Sequence, residues 1–148
     1  MTITVQSGDS PKIYALVRDI YGNAISLENN AIIAFKYSVY KIVSGVRVAV
    51  EGFSEVDIPT TCYHKDTAAY PSNITGLTTS EIQDGYNIEL FPYIAKETNG
   101  DAVWESPFKD AGTTYEINVI LRYIMSDAAL VGSASINKTF SVRVLVGS

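Results

Sequence analysis

The residues best suited to chemistry lie in two short segments. In the first, Cys62, His64 and Asp66 alternate along the chain, so they would share one face of a strand. A thiol, an imidazole and a carboxylate can bind zinc or form a nucleophile with its base. A structural zinc site needs four ligands, however, and a nucleophile needs donors for the oxyanion that develops during attack. We therefore interpret the three as loop or edge-strand residues and predict no metal site.

In the second segment, Asp101 and Glu105 flank Trp104, the only tryptophan. Two carboxylates beside an aromatic platform are typical of glycosidases. With 16 acidic residues in 148, such pairs arise by chance. Residues 99–101 also lack the alternating acids of a calcium loop. We therefore predict no catalytic residue, no cofactor and no enzymatic activity.

Composition excludes several kinds of partner. The net charge is −5 and no cluster of Lys or Arg occurs, so we predict no binding to nucleic acid. No apolar run is long enough to span a bilayer, so we predict no membrane partner. Cys62 is the only cysteine, which excludes an intrachain disulfide. The chain has no signal-peptide pattern, and we expect its synthesis in the cytoplasm of the producing cell.

The elements that would position these residues are strands. Residues 31–43 are rich in Ile, Val, Tyr and Phe, which disfavour a helix, and 46–51 alternate. Ser44 and Gly45 between them predict a hairpin turn. Further strands are predicted over residues 2–6, 12–19, 24–27, 56–59, 86–93, 115–125 and 136–146. We interpret residues 60–72, 94–112 and 126–135 as loops, and 78–82 as a single capped helical turn.

These strands, with turn residues between them and no amphipathic helix, predict an all-β, antiparallel β-sandwich of about seven to nine strands. The pattern predicts which residues face its core. Tyr115 to Met125 present every second residue to the core, and so do Phe140 to Val146. No linker or internal repeat interrupts the chain, so we predict a single domain over residues 1–148.

Two segments carry a resemblance to a known family. In the first, Gly8 and Asp9 precede an alternating strand, a turn at 19–27 and the strand at 31–35. In the second, Trp104 precedes an Ala-Gly-Thr-Thr-Tyr step at 111–115. The arrangement resembles the immunoglobulin-like domains of tailed-phage virion proteins, such as the N-terminal domain of the baseplate upper protein. The resemblance implies an immunoglobulin-like sandwich that docks onto other virion proteins or onto copies of itself.

Aromatic residues in or beside turns are candidates for such an interface, because their side chains offer large amphipathic contact area. They are Tyr21, Tyr63, Tyr70, Tyr93 and Trp104. We expect a non-enzymatic structural protein of a bacteriophage virion, in its tail, baseplate, neck or capsid surface, present as a homo-oligomer or in many copies. The alternative is a carbohydrate-binding or adhesin-like module, with Trp104 and neighbouring tyrosines as its stacking platform.

Overall fold

A computed structural model of the protein describes residues 2–19, 21–27, 32–72, 77–92, 94–98, 101–125 and 132–146. Within these ranges the chain forms eleven strands, one α-helix and a 3-10 turn at Thr60–Cys62. The strands are β1 (Thr2–Val5), β2 (Ile13–Ala15), β3 (Ile32–Val43), β4 (Val46–Ala49), β5 (Val56–Asp57), β6 (Tyr63–Ala68), β7 (Tyr86–Leu90), β8 (Ile94–Thr98), β9 (Asp101–Glu105), β10 (Thr114–Met125) and β11 (Gly132–Val144). The helix α1 spans Thr79–Asp84.

Nine of these strands form two sheets that pack together as an all-β sandwich, as predicted. The larger sheet has six strands in the order β1-β11-β10-β3-β4, with β5 also paired to β3. All its pairs are antiparallel except β1 with β11, which run parallel. The smaller sheet has the order β2-β7-β6, and β8 and β9 form a separate hairpin. No helix in the described ranges has the length and apolar character needed to cross a bilayer.

The core lies between the sheets and follows the predicted alternation on β10. Tyr115, Ile117, Val119, Leu121 and Tyr123 are all buried, while the residues between them face away from the core. The smaller sheet contributes Ile13, Ala15, Ile88 and Leu90 to the same core. Because three strands cannot cover six, loop residues cover part of what remains: Phe53, Ile58 and Phe108 are also buried.

The hairpin predicted between 31–43 and 46–51 is confirmed. Val43 pairs with Val46 across Ser44 and Gly45, whose φ angles are 51° and 78°. Two successive positive φ values belong to a type I′ turn, whose twist matches that of the flanking strands. The predicted capped helical turn is also present as α1. Thr78 accepts from Glu81 N, and the Glu81 carboxylate accepts from Thr78 N, each at 3.2 Å, which is a capping box.

Two segments predicted as loops contain strands. Residues 63–68 form β6, which pairs with β7 only at Tyr63 and Ala68. The extra residues between these two pairings bulge, so the segment has no clean alternation to reveal it. Residues 94–98 and 101–105 form the antiparallel pair β8–β9, from Ile94 with Glu105 to Thr98 with Asp101. The Asn-Gly dipeptide at 99–100 is a strong hairpin signal that the loop interpretation overlooked.

Other boundaries also differ from the prediction. The strand expected over 12–19 is limited to Ile13–Ala15, followed by a single bridge between Arg18 and Ala24. Strand β11 begins at Gly132, inside the predicted loop, because it pairs with the whole of β10. It ends at Val144, and Val146 is 77% exposed, so the prediction that Val146 faces the core is wrong. The chain leaves the sheet there after Leu145 N donates to the Val5 carbonyl at 2.9 Å.

Asn87 extends the contact between β2 and β7 beyond the end of β2. Its Oδ1 accepts from Val17 N at 2.7 Å. Its Nδ2 donates to the carbonyls of Val17 and Ile25, each at 3.0 Å. The side chain is fully buried. A side-chain amide carries the same donor and acceptor types as a peptide group, so Asn87 satisfies backbone groups that no strand pairs.

We predict that Asn87→Leu lowers the free energy of unfolding by about 3 kcal/mol, because it leaves the buried Val17 amide unpaired and removes the amide that donates to the Ile25 carbonyl. Urea denaturation followed by circular dichroism measures the change. Asn137→Leu is the control, since Asn137 is exposed on β11, and should change stability by no more than about 0.5 kcal/mol. Equal losses for the two variants would contradict the role given to Asn87.

Candidate functional site

Of the five predicted interface residues, Tyr21 is the most clearly available for contact. It is 59% exposed on the turn that follows Arg18. The Asp19 carboxylate holds this turn by accepting from the backbone amides of Tyr21 and Asn23, each at 2.9 Å. Asp19 N also donates to the Asn23 carbonyl at 2.8 Å, which closes the loop. Tyr21 is therefore presented to solvent by a well-bonded turn.

Tyr63 is in part a core residue. Its ring packs edge-on against the core residue Phe35, with 5.2 Å between ring centroids. It is half-buried and supports the core from β6. Tyr93 lies outside the described residues. Trp104 lies on β9, opposite Ala95, but its side chain is outside what the structure describes. Glu105, one of the two carboxylates that flank Trp104, pairs with Lys109.

Cys62, His64 and Asp66 lie in different surroundings. Cys62 ends the 3-10 turn, and burial raises the pKa of its thiol, which makes it a poor nucleophile. His64 Nε2 lies 3.4 Å from a carboxylate oxygen of Glu89, while Asp66 is exposed. Across the described ranges, no three His, Cys, Asp or Glu side chains are placed to hold a metal ion.

Tyr70 belongs to a cluster on the smaller sheet that sequence patterns did not reveal. We call Tyr14, Tyr70 and Tyr86 the tyrosine cluster. The ring of Tyr14 lies 4.7 Å from that of Tyr86 and 6.0 Å from that of Tyr70, centroid to centroid. Tyr70 and Tyr86 are 5.2 Å apart. The residues come from three parts of the chain, and the pairing of β7 with both β2 and β6 brings them together.

Glu89 is the polar centre beside these rings. It accepts from the Tyr86 hydroxyl at 2.8 Å and pairs with Lys12 Nζ at 3.2 Å. Burial disfavours the ionised carboxylate, but the hydrogen bonds from Tyr86 and Lys12 outweigh burial and lower the pKa of Glu89. Burial and the bond to Glu89 raise the pKa of Tyr86 to about 12. Glu89 is thus held ionised by its neighbours, which suits a structural carboxylate better than a general acid.

A cleft opens between the two sheets, and Tyr14 and Tyr70 of the tyrosine cluster line it. Its volume is 480 Å³, within the roughly 300–1,000 Å³ of small-molecule sites. We call it the inter-sheet cleft. One wall comes from β1 and β11, and the other from β2 and α1 with Tyr70 between them. Strand β1 covers β11 only from Ser141 onward, so among the described strands β11 has an open edge at Lys138, where the cleft lies.

A second feature of the surface is apolar. Val43, Val46 and Val48 are 46%, 63% and 47% exposed. Val48 is paired with Lys41, and Lys41 with the buried Tyr115, so by register the three valines lie on the core side of the larger sheet. The smaller sheet does not reach them. We call these three residues the valine overhang.

Sequence reasoning missed most of these features for one physical reason. Tyr14 faces Glu89 across a strand pair, and no local pattern specifies which strands pair. Lys138 did leave a signal, because its position between Ile136 and Phe140 on an alternating strand points it toward the core.

The fold and these surfaces define the class of the molecule as an all-β sandwich protein with an open cleft and an exposed apolar edge. Comparison with protein-family models, with curated proteins and with solved structures finds no match. Its function must therefore be argued from its own residues.

We predict that Glu89→Gln lowers the free energy of unfolding by about 1–2 kcal/mol at pH 7, the net value of hydrogen bonds to a charged group. A lowered pKa means that the carboxylate stabilises the fold above its unfolded pKa of about 4.3, and that this contribution is lost as pH falls through the lower folded pKa. The variant should therefore show a flatter decline in stability on the acid side. Urea melts between pH 2 and pH 7 measure both effects.

Asp66→Asn is the matched control, since Asp66 is an exposed carboxylate on β6 of the same sheet. It should follow the wild-type pH profile to within about 0.5 kcal/mol. A Glu89→Gln profile parallel to that of wild type would show that Glu89 gains nothing from its partners.

Proposed function

We propose that the chain is a non-enzymatic structural protein of a tailed-phage virion, present in several copies and acting through protein–protein contacts. Its partners would be copies of itself and other virion proteins. The valine overhang is the observation that carries the contact role. The virion setting comes from the resemblance of residues 8–35 and 104–123 to phage immunoglobulin-like modules.

The valine overhang has the character of an interface. Three β-branched side chains stand side by side on one face of a regular hairpin, and each is about half exposed or more. A partner that covered these apolar side chains would gain roughly 25 cal/mol of binding free energy for each Å² removed from water. A polar contact lies on the same face, where Lys41, the strand partner of Val48, places its Nζ 2.5 Å from Asp110. An apolar centre with a polar surround is the usual anatomy of a protein–protein contact.

Strand β4 also ends the larger sheet on this side, so within the described strands its outer edge is unpaired. An edge strand offers a row of backbone donors and acceptors to another strand. Main-chain pairing would give affinity, and the valines would give fit. The rigid type I′ turn at Ser44 and Gly45 holds both in place.

We predict that the purified chain self-associates in the micromolar range and that Val46→Lys with Val48→Lys weakens this at least roughly tenfold, since desolvated charges oppose contact. Sedimentation velocity measures the association. The melting temperature should change little, because both side chains are already exposed. A double variant that associates as tightly as wild type would contradict the role of the overhang.

The matched control adds the same two charges elsewhere, as Ile82→Lys with Val146→Lys. These side chains are 52% and 77% exposed and lie outside the overhang. The control should associate as wild type does. Equal weakening in both double variants would mean that net charge, and not the valines, governs association.

The virion setting has a separate test. Mass spectrometry of purified particles from a phage that encodes this chain should detect it in multiple copies. Its absence from particles, with the chain present in the lysate, would overturn the virion role and leave the contact role to be judged by sedimentation.

A further inference from the structure

A lysine occupies a position in the inter-sheet cleft where the fold calls for an apolar residue. Lys138 is paired with Val119, which is buried, so by register both face the core side of the larger sheet. Its neighbours on that face, Ile136 and Phe140, are apolar and pack against the core. A sandwich gains no stability from an ammonium group at such a place, because partial burial of a charge costs free energy.

Lys138 makes one hydrogen bond and no ion pair among the described residues. Its Nζ donates to the Leu16 carbonyl at 3.1 Å, which uses one of its three N–H donors. No carboxylate lies within ion-pair distance of it among the described residues, whereas the two other cations of the cleft are paired: Lys12 with Glu89 at 3.2 Å and Arg18 with Asp84 at 2.7 Å. Burial and the charge of Arg18 lower the pKa of Lys138, and the Glu81 carboxylate only partly offsets them.

The rest of the lining has two kinds of surface. Tyr14 and Tyr70 present aromatic rings, and Ile3, Leu16 and Phe140 present apolar side chains. Glu81 and Asp84 place carboxylates on the wall formed by α1. Such carboxylates accept hydrogen bonds from hydroxyl groups but repel a plain anion. The lining therefore matches a ligand with one negative group, several hydroxyls and an apolar ring face.

We propose that the inter-sheet cleft binds an acidic sugar, with the sugar carboxylate on Lys138, the ring against Tyr14 or Tyr70, and hydroxyls toward Glu81 and Asp84. The sugar carboxylate supplies an ion-pair partner, which Lys138 lacks among the described residues. The sugar ring occupies a cavity of suitable size. The site is separate from the valine overhang and does not depend on the proposed virion role.

The test is a titration of the ¹⁵N-labelled chain with sodium glucuronate, followed by amide chemical shifts, with glucose as the uncharged probe. Glucuronate should bind and shift the amides of Leu16, Lys138 and Glu81. Glucose should bind at least roughly tenfold more weakly, since it lacks the charge-assisted bond. Equal affinity for the two sugars, or no binding of glucuronate, would overturn the proposal.

Lys138→Met removes the charge and keeps a long apolar side chain, so it should fold at least as stably as wild type. It should lose glucuronate affinity roughly tenfold or more. Lys36→Met is the matched control, because Lys36 pairs with Ile120 on the outer face of the same sheet. It should bind glucuronate as wild type does. If Lys138→Met binds glucuronate unchanged, Lys138 only covers apolar surface with its stem and the proposal fails.

Discussion

Two sheets of unequal width share one apolar core, and this mismatch shapes most of the molecule. Three strands can cover only part of a six-stranded face. Where the chain supplies loop residues, as with Phe53, Ile58 and Phe108, the face is sealed. Where it does not, apolar or polar groups on the core side are left in contact with solvent. The valine overhang and the inter-sheet cleft are two such places among the described residues.

Polar groups near the core obey the same constraint. Asn87 is buried and makes three hydrogen bonds to backbone groups that lack a strand partner, so its interactions are complete. Lys138 donates to a single carbonyl and lines an open cavity. A polar group that is fully satisfied belongs to the fold, whereas one with spare donors beside a cavity is available to a ligand. This distinction separates a structural residue from a candidate binding residue in a protein without a catalytic group to guide the choice.

The sequence was most informative where a pattern is local. Alternation on β10 specified which side chains face the core, and Ser44 with Gly45 specified a hairpin. It was least informative where structure depends on distant pairing. The irregular pairing of β6 with β7 hides its strand character, and the meeting of Tyr14 with Glu89 requires knowing that β2 pairs with β7. The exposure of Val46 and Val48 was also hidden, because their alternation is that of buried residues and only the width of the opposite sheet leaves them uncovered.

The parallel pairing of β1 with β11 has a consequence for how the chain is made. Thr2 lies beside Ser141 and Val5 beside Val144, so among the described strands β1 pairs only with β11, which is synthesised much later. No nascent chain that stops before residue 144 can complete the larger sheet, however long it has to fold. Until then β1 lacks the one strand that it pairs with among the described residues, and its backbone groups remain open to other chains. Pairing between strands so far apart in sequence also slows folding. The chain entropy lost in bringing them together must be overcome before their hydrogen bonds contribute favourable free energy.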